Sequence, residues 1–168
     1  TEIDPAGVRG ACVGRPLPGI TVRIIALTDE PIPSIDAVRD LPTGEVGEII
    51  VQGPVVTRQY DAMPAATALA KIPAPDGTVW HRMGDCGFLD YSSRLWFAGR
   101  KAERVVTAEG TMFTEPCEQV FRQHPEVKRC ALVGLGPRGR QQPAVVVETS
   151  SAPSLRAPRW SRSIGRRT

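Results

Sequence analysis

Residues 80–100 read WHRMGDCGFLDYSSRLWFAGR, with Asp85 behind a glycine near one end and Arg100 behind a glycine at the other. Two short apolar runs, 87–90 and 95–98, flank residues 91–94, and that pattern predicts a β-hairpin. A hairpin returns its ends to one another. One face then presents a carboxylate, which accepts hydrogen bonds, beside a guanidinium, which donates them. The two groups together suit one polar ligand. Taken singly, Asp85 reads as a turn cap after Gly84, and Arg100 as a surface arginine at a strand end.

Other residues with chemical potential carry weaker signals. Cys12, Cys86, Cys117 and Cys130 include no CxxC pair, the spacing a structural zinc site favours. His81 and His124 could join Cys86 or Cys117 around a metal, but isolated polar or core residues are the plainer reading. Gly134, Gly136 and Gly139 spell GxGxxG after a strand-like run. A dinucleotide fold needs a helix there, yet Pro143 would cut it short and no ribose-binding acid follows at the right distance. These glycines read as a turn. The sequence contains no GxxxxGK motif followed by Ser or Thr.

The elements that must position these residues are mostly strands. Ile20, Val22, Ile24 and Ala26 alternate as one buried face, and residues 49–52 form another strand. Residues 65–71 suit a short helix between Pro64 and Pro73. After Arg100, residues 105–107 pair with 111–113 across a turn in which Gly110 supplies a positive φ. Thr114 is the expected N-cap of a helix with Pro116 in its first turn and an apolar stripe of Cys117, Val120 and Phe121. His124-Pro125 stops that helix. Residues 130–133 and 144–147 read as two more strands. The chain thus divides into a β-rich part, 1–100, and a β-β-α-β-β start of a small α+β domain, 101–148. Residues 149–168 have no periodicity and read as a disordered tail rich in Arg, Ser and Pro. The abruptness of that change suggests a reading-frame shift or a cloning remnant.

Composition excludes several classes. The chain has 168 residues with 16 Gly and 16 Pro, which favours short strands and turns over long helices. No apolar run approaches the ~20 residues of a membrane helix. No signal peptide is visible at the N-terminus, and free thiols without an export signal suggest the cytoplasm. The net charge is +3, yet Arg156, Arg159, Arg162, Arg166 and Arg167 all follow the last acid, and the rest of the chain stands at −2. The basic character belongs to the tail, which argues against a nucleic-acid-binding face.

Five segments in order resemble the adenylate-forming (AMP-binding) superfamily of acyl- and aryl-CoA synthetases, luciferases and peptide-synthetase adenylation domains. They are VGRPLPGITVRI, PTGEVGEIIVQGPVVTRQY, WHRMGDCGFLD, LWFAGRKAERVVTAEG and HPEVKRCALVGLGPRGRQQPAVVV. The wording HRMGDCGFLD…LWFAGRKAERV is most similar to the subfamily of bacterial long-chain olefin biosynthesis, which closes a 2-alkyl-3-hydroxy fatty acid to a β-lactone. The resemblance implies a distorted β-barrel subdomain at 1–100 from the end of a large AMP-binding domain. The first half of a small C-terminal domain would follow.

By the same resemblance, Asp85 binds the ribose hydroxyls of ATP and Arg100 reaches its ribose and phosphate side. Lys101 and Ala102 form the hinge, and Gly110 sits in the glycine loop. ATP arrives with Mg2+. A long-chain hydroxy fatty acid is the co-substrate, and other olefin-pathway enzymes are expected partners. Departures matter too. Met83 stands where the family usually has threonine, and Ala102 where the hinge has aspartate or lysine. The arginine and paired glutamates that normally follow Gly110 are missing, which makes CoA an unlikely co-substrate. The family's phosphate loop and its catalytic lysine are not found in this sequence, so the chain reads as an inactive fragment of an active parent. A long-chain acyl-CoA ligase fragment and a non-catalytic β-rich interaction module are the alternatives.

Overall fold

The structure, a computed structural model, describes residues 10–150. Six strands form one antiparallel sheet: β1 (Ala11–Gly14), β2 (Thr21–Ile25), β3 (Gly47–Gln52), β4 (Lys71–Pro73), β5 (Val79–Leu89) and β6 (Leu95–Arg100). Their order is β1-β6-β5-β3-β2, with β4 also on β5. β5 is central. One of its edges pairs with β3; the other takes β4 along its first part and β6 along its second. The strand-rich architecture agrees with the sequence, and the described strands run as an open path from β1 to β2.

Two apolar clusters hold the sheet. Ile25, Ile32, Ile50 and Ile72 form one, with Ile35, Val38 and Trp80 packed against it. Cys12, Phe88 and Trp96 form the other, with Val46, and the Phe88 and Trp96 rings stack 6.0 Å apart. Fully burying an isoleucine such as Ile50 or Ile72 stabilises the fold by about 1.5–3 kcal/mol. On β2 the buried pair is Ile24 and Ile25, not the single face expected from Ile20 to Ala26, because the end of this strand is covered on both sides.

The helix expected at 65–71 is α1 (Pro64–Ala70), and it ends one residue early. Lys71 instead opens β4. The Asp76 carboxylate accepts from the Thr78 amide and hydroxyl, and Gly77 takes φ +79°, so a tight turn folds Lys71–Pro73 back onto β5. That local turn overrides the helical propensity of the alanine run. β5 itself starts at Val79, well before the run at 87–90.

Beyond β6 come a 3-10 turn (Lys101–Glu103), β7 (Val105–Val106), β8 (Thr111–Met112), α2 (Thr114–Arg122), β9 (Val127–Leu135) and β10 (Gln142–Thr149). β7 pairs with β8, and β9 with β10, in antiparallel register. The Gly134-x-Gly136-x-x-Gly139 run ends β9 and turns into β10, with positive φ at Gly136 and Gly139 and no helix. Two details differ from the sequence reading. Phe113, not Thr114, is the N-cap of α2, and it makes no side-chain capping bond. The helix buries Thr114 and Gln119, while Val120 is 55% exposed. Cys117 and Val120 of its apolar stripe line an open groove of about 790 Å³ together with Phe88 and Tyr91. Thr149 still pairs in β10, so the chain remains ordered past the expected start of the tail. The remainder of that tail, 151–168, lies outside the described residues. No described helix is long and apolar enough to cross a membrane.

Candidate functional site

Asp85 and Arg100 are register partners across β5 and β6. Arg100 Nη1 donates to Asp85 Oδ1 at 2.8 Å. The Arg100 side chain is 60% exposed and that of Asp85 is 18% exposed. Among the described residues no other hydrogen bond reaches the Asp85 carboxylate. Oδ2 is therefore an acceptor available to a ligand, and Oδ1 retains a lone pair beside the guanidinium.

Two backbone irregularities aim this pair. Between Arg82 and Cys86, β5 advances four residues while β3 advances two, from Ile50 to Glu48. Gly84, at φ +71°, absorbs the excess in a conformation that costs a residue with a side chain more. A second register shift falls between Cys86 and Gly87 on the β6 side. Gly99, at φ +126°, sits where an added Cβ would fall 2.2 Å from Thr114 Oγ1. That glycine lets the start of α2 lie directly against the strand that carries Arg100.

A second charged cluster surrounds Glu48, which is fully buried. Arg82 grips it with two bonds, Nε to Oε1 at 3.0 Å and Nη2 to Oε2 at 2.7 Å. The same guanidinium donates to the backbone oxygens of Thr28, Glu30 and Leu69. Lys101 Nζ adds bonds to both Glu48 oxygens, at 3.0 and 3.1 Å, and to Thr28 O at 2.9 Å. Next along the chain, Arg104 donates to Lys101 O and holds the Asp29 carboxylate with both oxygens engaged. Arg138 reaches Asp29 as well, at 3.4 Å. Burial tends to raise the pKa of Asp29. The bond and charge of Arg104, with the charges of Arg138 and Lys101, outweigh it and hold the acid below its usual range.

The expected site residues therefore separate. Asp85 and Arg100 meet. Lys101 turns away from them into the buried cage around Glu48. Ala102 is exposed in the 3-10 turn, and Gly110 lies exposed at the β7–β8 turn with φ +147°. Sequence reasoning did not single out Glu48, Arg82, Asp29 or Arg104. The available signal was a glutamate in the apolar run GEIIV and an arginine in β5, since a charge inside a strand core demands a partner. Cys86 is fully buried, and burial pushes its thiol up to about 12, so it is no nucleophile at neutral pH. His81 Nδ1 lies 3.1 Å from Ala70 O, and His124 Nδ1 accepts from the Glu126 amide. Among the described residues no three His, Cys, Asp or Glu side chains gather as a metal site.

Comparison with known proteins gives the following. The chain is similar to the olefin β-lactone synthetase of Xanthomonas campestris, at 51% identity over 83% of this chain and 26% of that protein. It is also similar to the olefin β-lactone synthetase of Stenotrophomonas maltophilia, at 47% identity over 87% of this chain and 28% of that protein. Among solved structures it resembles ATP-bound MatB from Rhodopseudomonas palustris, with TM-score 0.66, 27% identity, 82% of this chain covered and 25% of that one. No family model matches the chain. The chain spans about a quarter of the length of the curated relatives it matches.

Proposed function

We propose, for a chain that belongs to the adenylate-forming superfamily, that Asp85 and Arg100 hold the ribose of ATP in an enzyme that adenylates a long-chain carboxylic acid. The observation that carries this reading is the 2.8 Å pair across β5 and β6, with one carboxylate oxygen left without a partner among the described residues. A vicinal diol donates two hydrogens, and a carboxylate accepts both. Hydrogen bonds to a charged group contribute about 1.5–3 kcal/mol each. Arg100, largely exposed, is free to share Asp85 with the sugar or to swing toward a phosphate.

In the whole enzyme, a substrate carboxylate oxygen attacks the α-phosphorus of ATP. The bond to the β-phosphate oxygen breaks, pyrophosphate leaves, and an acyl-AMP anhydride remains. For a 2-alkyl-3-hydroxy acid, the β-hydroxyl oxygen then attacks the acyl carbon. AMP departs, the hydroxyl proton is released, and a β-lactone forms. Nucleophile and electrophile are tethered, which offsets part of the strain of the four-membered ring. Similarity to two olefin β-lactone synthetases favours this product over a thioester, as does the altered context of Gly110. Mg2+ travels with the nucleotide's phosphates. The described residues gather no metal site of their own, and no step here is assigned to the ion.

The reading carries further expectations. The sheet residues up to Arg100 belong to a large nucleotide-binding domain, and residues 101–148 begin a small domain. The enzyme works in the cytoplasm, alongside other enzymes of olefin formation. This chain alone is inactive. The test is ATP–pyrophosphate exchange in a full-length enzyme carrying this segment, with a 2-alkyl-3-hydroxy acid, with and without CoA. Exchange that Asp85→Ala reduces, with AMP and a β-lactone released in the absence of CoA, supports the reading. Release of AMP and product only when CoA is present moves the assignment to an acyl-CoA ligase, and exchange unaffected by Asp85→Ala removes the ribose contact.

A further inference from the structure

Residues 101–104 are the link through which the chain passes from the six-stranded sheet to α2 and the β9–β10 hairpin. A link of four residues is an obvious place for movement, yet both its ends are tied. Lys101 buries its ammonium in the sheet, and Arg104 is bound to Asp29. Both anchors lie on or beside one loop, Thr28 to Glu30, which supplies Thr28 O to Lys101 and the Asp29 carboxylate to Arg104.

The two ties differ in what they leave behind when broken. All three ammonium hydrogens of Lys101 are matched, two to Glu48 and one to Thr28 O. Arg82 engages both Glu48 oxygens independently. If Lys101 withdraws, Glu48 keeps a bidentate counter-charge, and no lone buried anion results. Removing a partner from a simple buried pair strands a charge and is strongly unfavourable. Here the receptor remains neutralised, and the lysine gains hydration as it leaves. Lys101 is also the less buried member, 16% exposed against 2% for Arg82.

We infer that Lys101 is a releasable latch: its ammonium, seated in the Glu48–Arg82 receptor, fixes the link and so sets the placement of α2 and the β9–β10 hairpin against the sheet. Arg82 is the permanent partner of Glu48 and Lys101 the conditional one. Lys101 touches neither Asp85 nor any reacting atom and is a positioning residue. The inference does not depend on the nucleotide reading, since it requires no ligand.

The test uses cleavage after Glu103 by a glutamate-specific protease. Glu103 is exposed but held in the 3-10 turn, and cleavage of a held segment follows its rate and extent of local opening. Lys101→Met keeps the stem and removes the ammonium. Loss of the charged hydrogen bonds is expected to raise cleavage between about tenfold and a hundredfold. The urea midpoint of the sheet, read by Trp80 and Trp96 fluorescence, is expected to stay near its original value. Lys101→Arg, which retains a cation, is expected to cleave at close to the original rate. Should Lys101→Met not fold, Lys101→Gln is read in the same way. Unchanged cleavage overturns the inference. So does a parallel fall of the urea midpoint, which makes Lys101 an ordinary member of the sheet's core.

Discussion

Two charged clusters take Arg82 and Asp85 from β5, three residues apart, and the adjacent Lys101 and Arg100 from the end of β6 and the turn after it, and they are built on opposite terms. Around Glu48, every charged atom is matched: a fully buried carboxylate meets Arg82 and Lys101, and their spare donors end on backbone oxygens. At Asp85, one guanidinium meets one oxygen, the rest of Arg100 is largely exposed, and the second carboxylate oxygen has no partner among the described residues. The first arrangement saturates its hydrogen bonds and suits structure. The second leaves capacity unused and suits a ligand. Proximity in sequence to a motif does not distinguish them, because Lys101 and Arg100 are adjacent and belong to different clusters.

That contrast can be broken most forcefully at Glu48. Glu48→Gln strands the buried Arg82 guanidinium, and the expected loss is about 3–5 kcal/mol in urea unfolding. A loss below 1 kcal/mol would place the buried cluster on the same footing as a surface pair. Gly99→Ala comes next, since its Cβ would collide with Thr114 Oγ1 at a positive φ. Overpacking of this kind costs about 1–3 kcal/mol. The amide resonances of α2 should shift along with those of Arg100; shifts confined to β6 would deny that Gly99 seats the helix.

A gentler effect concerns His81. Burial, first, and the nearby charge of Lys71 lower its pKa, against a raising contribution from Ala70 O. The unfolded chain therefore takes up the proton first, and stability should fall as pH drops through 6.5, the ordinary histidine value. Substituting His81→Gln should flatten that part of the pH profile, and an unchanged slope would assign it elsewhere. The smallest change in stability is expected for Arg100→Ala. Its guanidinium is largely exposed to water, and pairs held by such a group contribute about 0–1 kcal/mol. A larger loss in urea unfolding would make the outward pair structural.

Sequence made the outward cluster legible because a hairpin's geometry is local. The run from 87 to 98 brings the two ends of the hairpin together, while the register shift between Cys86 and Gly87, which the sequence does not announce, sets Asp85 opposite Arg100. The order β-β-α-β-β after Arg100 was legible for similar reasons, from turns at Gly110 and Pro125 and from strand-like runs. The buried cluster was not legible. Glu48, Arg82, Lys101 and Asp29 come from four separate segments, and nothing in the spacing of any one of them announces the others. β4 was hidden by the alanines before it, because a tight turn at Asp76-Gly77 decided the matter against helix propensity. The stripe on α2 was legible as apolar, but its partial exposure was not. Periodicity identifies a face and does not say what covers it.

The central claim is that Asp85 recognises a ribose diol. Its most direct test is titration of the 168-residue chain with AMP and, separately, with 2′,3′-dideoxy-AMP, following backbone amide resonances at Gly84–Cys86 and Gly99–Lys101. The account predicts saturable shifts at these residues with AMP, reduced about tenfold or more in affinity for the dideoxy compound and for Asp85→Ala. Equal binding of both nucleotides, or shifts at residues remote from Asp85 and Arg100, would contradict it.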